Sequence, residues 1–363
     1  MQPQIKNLRN SNIELLRIIT MFGVIILHYN NEQIGGAFKY ASSNHYNLCI
    51  LYILECIFIS AVNIFILISG YYLCSKNNLS ISKPCLLIIQ VILFRIISYI
   101  VFIVIDKEAY SYETIRIKLL PINYFVILYV ALYILAPFIN FLINKISTKS
   151  FSVLVLILIL LFSVWPTIVD FLIPFLNNNL SGLSTISMYG SQYGYTIVNF
   201  VLMYILGAYI YKANIINKIK NRMLFTFTLL VLCWITLLAW TKYNLVTQKS
   251  LSVVFSYCNP IVIASAILTF MLFIGIKQKN NRFINILAKG SFSVYLAHTY
   301  FFELIAIDKA ASKSPFVLVT HIIISCLFIY LVCWIISIIY SYIERVFFSK
   351  LLKKLTKIQI ICK

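Results

Sequence analysis

The sequence predicts an all-α, polytopic membrane protein of about ten transmembrane helices. Three observations carry that prediction. Of the 363 residues, 61% are hydrophobic and only 11% charged, too few charges to cover a water-facing surface. The apolar residues fall in ten runs, near 12–30, 47–73, 84–105, 121–143, 151–170, 195–211, 223–241, 251–274, 285–307 and 316–340, each close to the ~20 residues needed to cross the hydrocarbon. With the N-terminus placed inside, Lys and Arg number 20 at the termini and inner loops and 8 in the outer loops. That asymmetry orients membrane proteins, so a multi-pass protein of the cell membrane with both termini cytoplasmic is expected. The net charge of +20 then reflects orientation and contact with membrane lipids, not a nucleic-acid footprint.

The ionisable residues inside the spans are the informative ones, because an intramembrane charge is costly and normally faces protein or a wet cavity. In the first span Arg17 and His28 are eleven positions apart. Eleven helical steps make roughly three turns, so the two share one face, about 16 Å apart along the axis. Glu14, three residues before Arg17, lies on that face within pairing reach. A cation near one membrane surface and a titratable His deeper on the same stripe point to a reaction site. An Arg snorkelling to the cytoplasmic surface, with a His at the far interface, would leave the same spacing. Glu14 and Arg17 also interrupt any signal-peptide core, so the first span is expected to stay in the mature protein.

The second span ends in Asn63-Ile-Phe-Ile-Leu-Ile-Ser69-Gly70-Tyr71-Tyr72. Gly70 permits close backbone approach, and Asn63 and Ser69 can hydrogen-bond across helices. The cluster reads as helix–helix glue or as the wall of a narrow ligand passage. In the third span Arg95 is too far from either end to snorkel easily, and would seek Glu55 or a ligand phosphate. The fourth to eighth spans carry Pro137, Pro166 and Pro260 within or near their ends, without the matched interruptions of an inverted-repeat transporter. Between them the segment Asp170–Tyr195 has no charge after Asp170 and is rich in Asn, Ser, Gly and Tyr, a linker or a glycan dock. In the ninth span His298 and Glu303, five apart, point to different sides of an α-helix. His45 and His321 receive no role. After the tenth span, Glu344–Lys363 alternates apolar residues and Lys at helical spacing, which reads as a basic amphipathic helix on the inner leaflet. The chain therefore divides into a transmembrane domain, 1–343, and a cytoplasmic tail, 344–363. Nine scattered Cys without ligand spacing predict neither a disulfide framework nor a metal site.

Three of these segments resemble one family. Ile13-Glu14-Leu15-Leu16-Arg17 followed after ten residues by His28 resembles the opening helix of the membrane acyltransferase-3 family. The stretch Asn63 to Tyr72 resembles its second-helix signature, and Ser291-Phe-Ser-Val-Tyr295-Leu-Ala-His298 its late S-x-S-x-Y-L-x-H element. Ten spans match its topology, so the resemblance covers essentially the whole chain. One departure is Arg95: members often carry a second Arg three residues on, where this chain has Ser98. Asn123–Phe125 resembles capsule-type members loosely, and the chain resembles stand-alone members that modify surface or lipid-linked polysaccharides.

The resemblance implies transfer of an acyl group, most often acetyl, from cytoplasmic acyl-CoA to a sugar hydroxyl on the cell-surface side. Acetyl-CoA would be a co-substrate, with no permanently bound cofactor. On that reading Arg17, oriented by Glu14, and Arg95 contact the donor phosphates. His28 is the general base or transient acyl carrier. Asn63, Ser69, Tyr71, Tyr295, His298 and Glu303 line the cavity. A transporter or flippase of a lipid-linked sugar or surface glycan is the alternative, since it too would need buried ionisable residues.

Overall fold

The computed structural model describes residues 10–76, 78–105, 123–175, 182–219, 222–349 and 354–361. It is helical almost throughout, with a single two-stranded sheet among the described residues. The helices begin where the sequence supplies side-chain caps for their orphan N–H groups. Asn10 caps Ser11–Asn30, Asn44 caps His45–Phe58, Asn123 caps Tyr124–Lys145, Ser147 caps Thr148–Ile159, Thr196 caps Ile197–Lys212 and Asn281 caps Arg282–Lys289.

Six helices among the described residues are long and apolar enough to cross a membrane: Ser11–Asn30, His45–Leu73, Tyr124–Lys145, Thr148–Leu172, Met223–Val246 and Pro315–Phe348. The chain is thus a helical membrane protein, with fewer spans by this measure than the ten expected. The third expected span is the helix Ser82–Ile105, which runs to the edge of the described residues. The sixth and eighth give the shorter apolar helices Ile197–Lys212 and Pro260–Gly275. Residues 251–259 of the eighth form turns, and helix starts at Pro260, whose ring suits a first helical position.

The ninth departs most. In place of one helix over 285–307, there are two short α-helices, Arg282–Lys289 and Ser291–Ala297, and a 3₁₀ segment, His298–Leu304. Between the short helices Gly290 lies against Trp334 and Ser337, where a Cβ would approach within 2.6 and 2.8 Å.

The chain forms two compact units. The first comprises residues 1–65, 214–255 and 261–338 and holds the first helix, the broken segment 282–304 and most of the last long helix. The second comprises residues 66–213, 256–260 and 339–363. In it the helix ending at Leu73 crosses Ile197–Lys212 in backbone contact. A Cβ on Gly70 would sit 2.1 Å from the Tyr204 carbonyl oxygen, and one on Gly207 2.2 Å from that of Leu67. Tyr204 Oη donates to Asn140 Oδ1 at 2.8 Å, and Asn140 Nδ2 donates to the Leu73 and Lys76 carbonyls at 2.8 and 2.6 Å. Lys212 Nζ donates to the carbonyls of Ile143 and Ile146 at the C-terminal end of Tyr124–Lys145, where a cation is favoured.

Of the tail, Glu344–Phe348 continues the last helix as a π-helical turn, and residues 350–353 lie outside the described residues. Gln359–Ile361 is a strand, not part of a helix, pairing antiparallel with Asn78–Ser80. The segment Asp170–Tyr195, expected as a linker or a glycan dock, is folded where it is described. Asp170 accepts from the Ser191 N–H at 3.1 Å, and Tyr193 O accepts from the Tyr257 N–H at 2.9 Å. Residues 176–181 lie outside the described residues.

Candidate active site

The first helix positions His28 by its contacts at both ends with residues 276–304. At its start, the Asn281 N–H donates to Ser11 Oγ at 2.7 Å, Ser11 Oγ lies 2.9 Å from Asn285 Oδ1, and Asn12 Nδ2 donates to the Ile276 and Lys277 carbonyls. At its end, the rings of His28 and His298 have centroids 5.0 Å apart and planes inclined by 39°. The two segments therefore run side by side in the same direction, with a sequence offset of 270 at the first end, Ser11 to Asn281, that recurs at the histidines. Between the ends, Phe22 stacks on Tyr330 at 4.8 Å, and Tyr330 Oη bonds Ser291 Oγ and the Leu287 carbonyl, each at 3.3 Å. The chain then turns sharply. The Gly35 N–H donates to the His28 carbonyl at 3.0 Å, and a Cβ there would lie 2.3 Å from the Tyr29 oxygen, so only glycine lets the turn close on the helix end.

His28 is half-buried, and His298 is 1% exposed. His298 Nδ1 lies 3.1 Å from the Val294 carbonyl oxygen and 2.7 Å from that of Tyr295. A carbonyl can only accept, so Nδ1 carries the proton and Nε2 the lone pair. Nε2 is buried and has no hydrogen-bond partner among the described residues. Rings of Tyr295 and Phe302 flank it, with centroids at 6.0 and 6.3 Å. The site therefore pairs a half-buried imidazole with a second one whose tautomer is fixed by its own backbone. Tyr295 is half-buried beside this pair, whereas Glu303, five residues beyond His298, is exposed.

Around this pair the structure forms two bonded sets that residue-type reasoning missed. The fully buried Tyr29 bonds His321 Nδ1 through its hydroxyl at 2.8 Å, with Ser325 Oγ 3.4 Å from the same nitrogen. Asn30 Nδ2 donates to Glu55 Oε2 at 2.9 Å and to the Leu51 carbonyl at 3.3 Å. Glu55, with a ligand phosphate one of the two partners expected for Arg95, accepts from Asn30 of the first helix. The signal available in the sequence was the polar run His28-Tyr29-Asn30 at a span end, but its partners lie on distant segments.

The remaining expected site residues fall as follows. Glu14 is 5% exposed and Arg17 half-buried on the first helix. Asn63 is fully buried. In the second unit, Arg95 is half-buried on Ser82–Ile105, Ser69 Oγ bonds Tyr129 Oη at 3.2 Å, and Tyr71 meets Tyr72 and Tyr211 edge-on at 5.1 and 5.4 Å.

Compared with known protein families, residues 10–338 match the model of the third acyltransferase family, described as an acyltransferase domain. The match spans nearly the whole chain. No curated protein and no solved structure matches.

Proposed function

Because this chain belongs to the acyltransferase-3 family and is a membrane acyltransferase, we propose that it moves an acetyl or other short acyl group from cytoplasmic acyl-CoA to a hydroxyl of a cell-surface or lipid-linked polysaccharide. His28 is the general base or acyl carrier of this reaction. The observation that supports this most is the placement of the His28 imidazole 5.0 Å from the buried His298 ring. A sugar hydroxyl is a poor nucleophile near neutral pH, and a fixed neutral imidazole is the group best suited to take its proton. The donor's phosphates need cations on the inner side, the role given to Arg17, with Glu14 orienting it, and to Arg95. Orientation with both termini cytoplasmic puts Arg17 nearer the donor compartment and His28 nearer the acceptor.

The test compares surface glycans by mass spectrometry and NMR in cells with the gene, without it, and complemented with His28→Ala. An acyl substituent should disappear with the gene and return with wild type. With His28→Ala it should return to at most a few per cent, since general-base assistance contributes about 10²–10⁴-fold. An unchanged acyl content without the gene refutes acyl transfer, and loss of the whole glycan points to transport. Acylation above half of wild type at equal membrane abundance removes His28 from the chemistry.

A further inference from the structure

Deepening the reading above and resting on it, we propose that His298 is a positioning residue for His28: its Nε2 accepts the N–H of His28, fixes that imidazole in one tautomer, and leaves the other His28 nitrogen free for the reacting hydroxyl. Four observations lead there. The Val294 and Tyr295 carbonyls hold the proton of His298 on Nδ1, so Nε2 is an obligate acceptor on the opposite edge of the ring. That acceptor is buried and has no partner among the described residues, and a buried polar atom of this kind calls for one. Two imidazoles joined edge to edge by an N–H···N bond of ~2.9 Å have centroids about 5 Å apart, which is the spacing found between His28 and His298. Of the other two histidines of this unit, His321 is bonded to Tyr29 and His45 is exposed with its ring against Tyr46, leaving His298 as the imidazole beside His28.

In the structure His298 Nε2 has no hydrogen-bond partner among the described residues, so the bond requires the His28 ring beside it to reorient toward that nitrogen. The arrangement follows the logic of a base oriented by a third group. In the transfer, the hydroxyl oxygen bonds to the acyl carbon as the carbon–sulfur bond breaks. The hydroxyl proton moves to the free nitrogen of His28 and from there to the departing thiolate. His298 neither gives nor takes a proton; it holds the ring that does. Without it the His28 ring samples both tautomers and several orientations, and the lone pair is correctly placed for only part of the time.

The chain has 4 histidines, so ¹⁵N-histidine labelling of the full-length protein in nanodiscs resolves each imidazole. Wild type should show two well-separated ¹⁵N shifts for His28, the signature of one neutral tautomer. His298→Phe should average them and lower kcat with acetyl-CoA by about 100-fold or more, leaving the KM for acetyl-CoA nearly unchanged. His298→Gln, whose amide oxygen can reach the place of Nε2, should retain the single tautomer and recover most of kcat, while the shorter His298→Asn should not. Should His298→Phe fail to insert, the Gln–Asn contrast decides the same point. A His28 that keeps one tautomer and full kcat in His298→Phe, or Gln and Asn variants that behave alike, overturns the inference. The two readings fail separately. If wild type never turns over acetyl-CoA yet the His28 shifts still respond to His298→Phe, acyl transfer is wrong and the positioning stands.

Discussion

Arg17 and His28 share a helix but are given different tasks, and substitution separates them. If Arg17 holds donor phosphates, Arg17→Lys should keep part of the function as a point charge, whereas Arg17→Ala should weaken donor binding strongly. Truncating one member of a buried charge-assisted contact typically costs about 2–5 kcal/mol, or roughly 30- to several-thousand-fold in affinity. Glu14 complicates the experiment, because its buried carboxylate is destabilising once a nearby cation is gone. The double change Glu14→Gln/Arg17→Ala relieves that charge and should restore membrane abundance without restoring acyl-CoA binding in nanodiscs. Wild-type affinity in Arg17→Ala would move the donor contact to Arg95 or the inner-loop lysines. At this scale the sequence is enough to put Arg17 and His28 on one helix, because their spacing is local. The pairing of His28 with His298, and of Tyr29 with His321, depends on how segments about 270 and 290 residues apart align. Local periodicity contains no information of that kind.

Helix–helix contacts show the same division between local and non-local information. Gly70 and Ser69 signal a close crossing, and the crossing partner proves to be Ile197–Lys212, with Gly207 answering Gly70. Without a hydrophobic drive between helices in lipid, such small-residue contacts hold the pair together, and Asn140 of Tyr124–Lys145, bonded to both Tyr204 and the Leu73 carbonyl, ties a third helix to them. Gly70→Ala drives a methyl into the Tyr204 carbonyl, and overpacking of this kind costs typically 1–3 kcal/mol. Thermal unfolding of the detergent-solubilised protein should shift down accordingly for Gly70→Ala. An unchanged midpoint would show that the two backbones are not in contact there. The ninth span differs from the single expected helix for a related reason. Hydropathy registers apolar content but not the break at Gly290, where Trp334 and Ser337 press on the backbone, nor the switch to 3₁₀ winding at His298. That break places the His298 imidazole beside its own preceding carbonyls, which is what fixes its tautomer.

For the whole molecule, the expected count of ten spans rests on hydropathy and charge, and the hydrogen bonds between connecting segments are compatible with it. In the first unit, the start of the first helix bonds residues 276–285, both expected inside, while Asn44 and Asn47 bond the carbonyls of Ala311 and Lys313, all expected outside. In the second unit, Asn140 reaches Lys76, Lys212 reaches Ile143 and Ile146, and Asn78–Ser80 pairs with Gln359–Ile361, each joining segments expected inside. On the other side Tyr193 meets Tyr257. Each of these contacts joins segments that the expected count assigns to one face. On that expectation the broken ninth segment carries the chain across, since residues 276–285 and 311–313 are assigned to opposite faces. Single cysteines introduced at Lys279 and Lys149 should therefore be shielded from a membrane-impermeant thiol reagent in intact cells and labelled after permeabilisation, while those at Lys313 and Tyr189 should react directly. Lys279 and Lys313 labelling from the same side would mean that segment 282–304 enters the membrane and returns. His298 would then reach His28 from a re-entrant loop.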